Sequence, residues 1–127
     1  MDTSELQTLL QGIATYAASR REQDTARVHR PTAAYPELLE RFRLPLQDEG
    51  VPAHQVIAEL IEHAEPGLAA MTGPRFHGWV IGGSNLTGVA ADWLTSVWGQ
   101  NAANHLATPS ASAAEETSAN ALLDLLD

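Results

Sequence analysis

The sequence predicts a mainly α-helical chain, and three observations lead there. Apolar residues recur at spacings of three and four along five stretches, residues that cap helices stand before several of them, and Pro36, Pro52 and Pro109 fall where a first helical turn tolerates proline.

The first stretch places Leu6, Leu9, Leu10, Ile13, Tyr16 and Ala17 on one face, with Thr3 or Ser4 as the expected N-cap. It fades between Arg20 and Asp24, and the polar run through Thr25, Val28, Pro31 and Thr32, which has neither helical nor strand period, reads as an extended connector. Leu38, Leu39 and Phe42 then form a short helix that ends before Pro45, and Gln47, Asp48, Glu49 and Gly50 make a turn. Val56, Ile57, Leu60 and Ile61 define the next helix, which starts at Pro52 and closes near Pro66-Gly67. Around Phe76, Trp79, Val80 and Ile81 the pattern becomes a short extended piece entering a tight turn at Gly82-Gly83.

Beyond that turn, Leu86, Val89, Ala90, Trp93, Leu94, Val97 and Trp98 keep helical spacing behind a cap at Ser84 or Asn85. Core packing is the ordinary reading of Trp93 and Trp98. A last helix starts at Thr108-Pro109, carries Glu115-Glu116 near the positive end of its dipole, and runs through Leu122, Leu123, Leu125 and Leu126. No closing glycine or polar turn follows that cluster, so the expectation is a fragment, or a subunit whose last helix packs on something else.

Composition limits the chemistry. The seven basic residues are all arginine (Arg20, Arg21, Arg27, Arg30, Arg41, Arg43 and Arg75), so no lysine side chain exists to form a Schiff base. A net charge of -9 argues against a nucleic-acid partner, which needs clustered cations. The absence of cysteine removes disulfides and thiolate chemistry and fits a reducing compartment, making the cytoplasm the expected location. No apolar run approaches the roughly 18 residues of a membrane span, and the acidic start Asp2-Thr3-Ser4-Glu5 is unlike a secretory signal. At 127 residues the chain makes one modest domain or part of one, burying roughly two thirds of its unfolded surface if compact.

Several side chains are candidates for chemistry. Glu59 and His63 stand one helical turn apart, but a third ligand is missing, and Glu59, Glu62 and Glu65 read better as a solvated acidic face than as a metal site. Ser84 lacks the second glycine of a nucleophile elbow and reads as a cap. Gly82 and Gly83 at a helix start are a weak anion-binding signal. Trp79, beside the glycines and off any helix stripe, is a candidate pocket wall.

Pro74-Arg75-Phe76-His77-Gly78-Trp79, then Gly82-Gly83-Ser84, Ala90-Ala91-Asp92-Trp93-Leu94, Gln100-Asn101 and Ala107-Thr108-Pro109 through Glu115-Glu116, resemble the group II pyridoxal-phosphate-dependent amino-acid decarboxylases, the family of the aromatic amino-acid and glutamate decarboxylases. The likeness runs without gaps from about Pro74 to Leu126. It implies a helical arm over residues 1–84 that wraps a partner subunit, and over 85–127 the opening helices of an aspartate-aminotransferase-type α/β large domain that is otherwise absent. It further implies that pyridoxal 5'-phosphate is held by a lysine-bearing decarboxylase large chain in an intertwined hetero-oligomer acting on a small amino-acid substrate. This chain then contributes no catalytic, cofactor-binding or metal-binding residue, only pocket walls: Trp79, Val80, Ile81 and Gly82, with Asn101 and Ala103 reaching a neighbouring site. Aromatic-acid members tend to carry an aromatic, a proline and a threonine where Val80, Ile81 and Gly82 stand. The alternatives are a non-catalytic helical assembly module derived from a decarboxylase, and a fragment.

Overall fold

A computed structural model describes residues 2–45, 48–81, 83–101 and 104–126. The protein is mainly helical, and among the described residues there is no strand. It divides into two compact units, Met1–Gly83 and Ser84–Asp127.

In the first unit, α1 (Thr3–Gln23) begins one residue ahead of the expected caps. Asp2 Oδ1 accepts from the Glu5 amide and Glu5 Oε2 from the Asp2 amide, each at 2.8 Å, so two helix-end donors are satisfied reciprocally. The chain does not extend after Gln23. Asp24 N donates to Arg20 O and Arg27 N to Gln23 O, which carries the turn on to Arg27. The connector is then pinned rather than loose, because the amides of Thr32 and Ala33 both donate to Pro66 O, at 2.8 and 3.0 Å.

Helix α2 (Tyr35–Phe42) has Pro36 in its first turn, and α3 (Ala53–Ala64) follows Pro52 and passes into a single 3-10 turn, Glu65–Gly67. These elements meet through small and aromatic groups. A Cβ on Gly67 would lie 2.5 Å from Leu38 Cδ1, so glycine makes room for that leucine, and the Phe42 ring meets His63 edge to face with centroids 6.0 Å apart.

The centre of this unit is polar. Among the described residues only Ala70 and Asp24 are buried, at 2 and 6% exposure, far short of the core a compact chain of this length should form. Glu65, expected on a solvated face, instead receives three donors: Tyr16 Oη on Oε1, and Arg20 Nη1 (2.9 Å) and Arg27 Nη1 (3.0 Å) on Oε2. Arg20 also reaches Asp24 Oδ1 through Nε at 2.8 Å, and Thr72 Oγ1 donates to Asp24 Oδ2 at 2.9 Å. The network ties α1 to the 3-10 turn and to the loop after it. Gly73 allows that loop to close, since a Cβ there would stand 2.4 Å from Asp24 O.

In the second unit, α4 (Leu86–Trp98) is capped by Asn85, whose Oδ1 accepts from Gly88 N at 2.7 Å, and ends at Gly99 in the left-handed region (φ 58°). Between the helices, the Thr108 hydroxyl donates to the carbonyls of Asn101 and Asn104. Helix α5 (Pro109–Leu126) has no acid in its first turn; Glu115 and Glu116 fall in the second, where the dipole has largely faded. No residue of α4 or α5 is buried. Trp98 and Val97 are exposed and Trp93 keeps 37% of its surface open, so neither tryptophan of α4 reaches the buried core role expected of it. Periodicity marks the apolar face but cannot say what covers it.

Burial pushes the Glu65 carboxyl up, yet the hydrogen bonds from Tyr16, Arg27 and Arg20 outweigh it and hold the pKa at about 2, below the ordinary 4.5. A depressed carboxylate pKa stabilises the fold fully above the unfolded value and loses that contribution as pH falls from 4.5 toward about 2. Allowing for solvent screening of a partly exposed group, the contribution is about 2 kcal/mol. Glu65→Gln should therefore lower stability by about that much at neutral pH, and urea unfolding followed by circular dichroism between pH 5 and 2 should show a flatter acid dependence in the variant than in the parent.

Candidate functional site

Trp79, Val80 and Ile81 lie on a tight turn whose centre is three residues earlier than the glycine pair where the sequence placed it. Ile81 N donates to Gly78 O at 3.4 Å, closing a four-residue loop with Trp79 and Val80 at its centre. Both central residues have positive φ, 63° and 54°. That is the primed-turn arrangement, ordinarily supplied by Asn-Gly or Gly-Gly because a Cβ is crowded there. A β-branched valine at such a φ is a conformational outlier, with a cost on the order of 1–3 kcal/mol.

The turn presents its side chains outward. Trp79 is 84% exposed and Val80 fully so, while Ile81 is less open. The Phe76 ring lies 3.4 Å from the place a Gly78 Cβ would take, an ordinary contact distance, so the ring packs beside Gly78. Residues 76–78 have no partner strand, and the extended piece expected there is irregular chain leading into the turn.

The remaining expected wall residues are distributed as follows. Gly82 and Ala103 lie outside the described residues. Asn101 belongs to the second unit, where its carbonyl accepts from the Thr108 hydroxyl. The first unit brings Trp79, Val80 and Ile81 together on one turn.

The other candidates are occupied structurally. Glu59 accepts from Gln55 Nε2 at 2.8 Å, and His63 lies against Phe42. Among the described residues no group of three or more histidine, aspartate or glutamate side chains gathers as metal ligands do. Asn85 rather than Ser84 caps α4.

The chain's own residues do not fit pyridoxal phosphate. There is no lysine for the aldehyde. At the start of α4, where free amides are a possible phosphate seat, the Gly88 amide is taken by Asn85 and a Cβ on Gly83 would meet nothing within 4 Å, so no cradle closes among the described residues; Gly82 lies outside them. No step is therefore routed through the cofactor on this chain. No helix among the described residues is long and apolar enough to cross a membrane.

Comparison with known proteins returns no matching family model, no matching curated protein and no matching solved structure.

The strain at Val80 has a direct consequence. Val80→Gly should raise the stability of the first unit by about 1 kcal/mol, the relief of left-handed crowding exceeding the added freedom of glycine in the unfolded chain. A lower urea midpoint in the variant would show that the valine side chain is held by contacts worth more than the strain.

Proposed function

We propose that this chain is the N-terminal segment or small subunit of a pyridoxal-phosphate-dependent amino-acid decarboxylase-like enzyme, supplying substrate-pocket walls and a dimer-forming arm to a lysine-bearing partner chain. The observation that carries this reading is the Trp79-Val80 turn, a large aromatic and a valine presented to solvent on a strained backbone. Strain of this kind is retained where a fixed presentation is useful, and an exposed tryptophan leaves much of its 150–250 Å² uncovered until a partner supplies the opposite wall.

The resemblance over Pro74 to Leu126 supports the same assignment and gives the reaction class. The partner holds the cofactor, which acts as the electron sink for loss of carbon dioxide from an amino acid. Trp79, Val80 and Ile81 flank the substrate and fix its orientation. Gly82, Asn101 and Ala103 are carried over on the resemblance alone. The arm over 1–84 and the helices over 85–127 dock on the large chain, and the cytoplasm is the compartment that suits a cysteine-free chain of this kind.

A second reading is favoured by one specific observation. The exposed Leu86, Val97 and Trp98 of α4 and Leu122, Leu123, Leu125 and Leu126 of α5 are as suited to a purely structural assembly as to an enzyme. A binding partner without a pyridoxal site would select it.

The test is reconstitution with a lysine-bearing large chain. Trp79→Ala should reduce kcat/KM for the amino acid by about tenfold or more while leaving assembly intact, because a pocket wall orients substrate whereas the helices carry most of the docking area. Turnover at the parent rate, or loss of association, would make Trp79 a packing residue and overturn the assignment.

A further inference from the structure

The chain carries 16 acidic and 7 basic residues, yet one cleft of about 660 Å³ in the first unit is lined by Arg30, Arg75, His29 and His77 and by no carboxylate among the described residues. Most of its remaining wall is apolar, and Phe76 and Trp79 are among the residues that line it. We propose that this cleft binds a small oxyanion carried on a flat apolar body, an aryl carboxylate or aryl phosphate.

The charge is available for such a ligand. The side chains of Arg30, His29 and His77 make no hydrogen bond or ion pair among the described residues. Arg75 uses one Nη2 donor on the Arg27 carbonyl at 3.0 Å, which fixes the side chain at the cleft and satisfies only one of the five donors a guanidinium offers. Glu65, on the 3-10 turn that precedes the cleft residues Ala69 and Met71, is already engaged, since it accepts from Tyr16, Arg20 and Arg27.

The geometry of the wall sets the rest of the ligand. Planar guanidinium groups pair with carboxylate or phosphate oxygens in forked geometry, and aromatic rings favour a flat partner in offset or edge contact. Phe76 packs beside Gly78, and the backbone of Trp79 lies within the turn closed by the Ile81 to Gly78 hydrogen bond. The cleft lies wholly within the unit Met1–Gly83 and needs no other chain, so the inference goes beyond the assembly proposed above.

The experiment is titration of the full chain, followed through its indole NMR resonances with Trp79 assigned from Trp79→Phe. The probes are 3-phenylpropionate, phenyl phosphate and the neutral 3-phenylpropanol. At least one anion should shift the Trp79 resonance saturably, with the alcohol at least about tenfold weaker, as expected for loss of a charge-assisted hydrogen bond. The tighter of the two anions identifies the oxyanion. Arg30→Gln should weaken that anion about tenfold as well; Arg75→Gln should do the same but also gives up the bond to Arg27, so Arg30→Gln decides. Equal binding of alcohol and anions, unchanged affinity in Arg30→Gln, or no saturable shift would each overturn the proposal. Trp79 is shared with the pocket wall proposed above and Arg30 is not, so anion binding lost in Arg30→Gln with turnover of the reconstituted complex unchanged separates the two readings.

Discussion

The carboxylate of Glu65 is the point on which the first unit depends. Three donors from α1 and the turn after it converge there, and Arg20 passes the connection to Asp24 and so to Thr72. In a unit with little apolar burial, this network takes over part of the work a hydrophobic core usually does. Such an arrangement is demanding, because removing one partner leaves the others with unmet charge, a loss larger than the net value of any single bond. Arg20 and Asp24 are the most enclosed of its members, at 10 and 6% side-chain exposure, so they have the least water to fall back on.

From that anchor the functional surface follows. Asp24 receives Thr72, Gly73 fits against the Asp24 carbonyl, and Arg75 reaches the Arg27 carbonyl, so the loop leading to Phe76 and Trp79 is held at successive points. A strained turn persists only when its surroundings determine it. Among the described residues the second unit shows no comparable network. Asn85 and Gly99 cap α4, yet the apolar residues of α4 and α5 remain largely uncovered, and ordering such helices without burial gains little against conformational entropy.

Much of the helical architecture was legible in the sequence. The Leu6 to Ala17 stripe, Pro36 at the start of α2, the Val56 to Ile61 stripe ending near Pro66-Gly67, Asn85 before α4 and Pro109 before α5 each rest on local periodicity or end chemistry, which depend on neighbours in sequence. What was missed is non-local. Glu65 looked like one more acid on a polar face, because its partners Tyr16, Arg20 and Arg27 lie 38 to 49 residues away; the only trace was Arg20 and Asp24 at helical i,i+4 spacing. The turn at Trp79-Val80 escaped for the opposite reason, since its residue types contradict the conformation they adopt and the adjacent Gly82-Gly83 offered a better local signal. Of the expected wall residues, Trp79 was singled out by its position beside glycines, whereas Val80, Ile81 and Asn101 came from resemblance alone.

The proposed assembly requires that the network-anchored first unit stand by itself and that the second be covered by the proposed partner chain. Hydrogen–deuterium exchange on the dilute chain, read by peptide, addresses it most directly. The account predicts protection in α1 and in the Glu65–Gly67 turn, fast exchange across α4 and α5, and slowing of α4 and α5 when a lysine-bearing large chain is added. Strong protection of α4 and α5 in the isolated chain, or faster exchange in α1 than in α5, would contradict it.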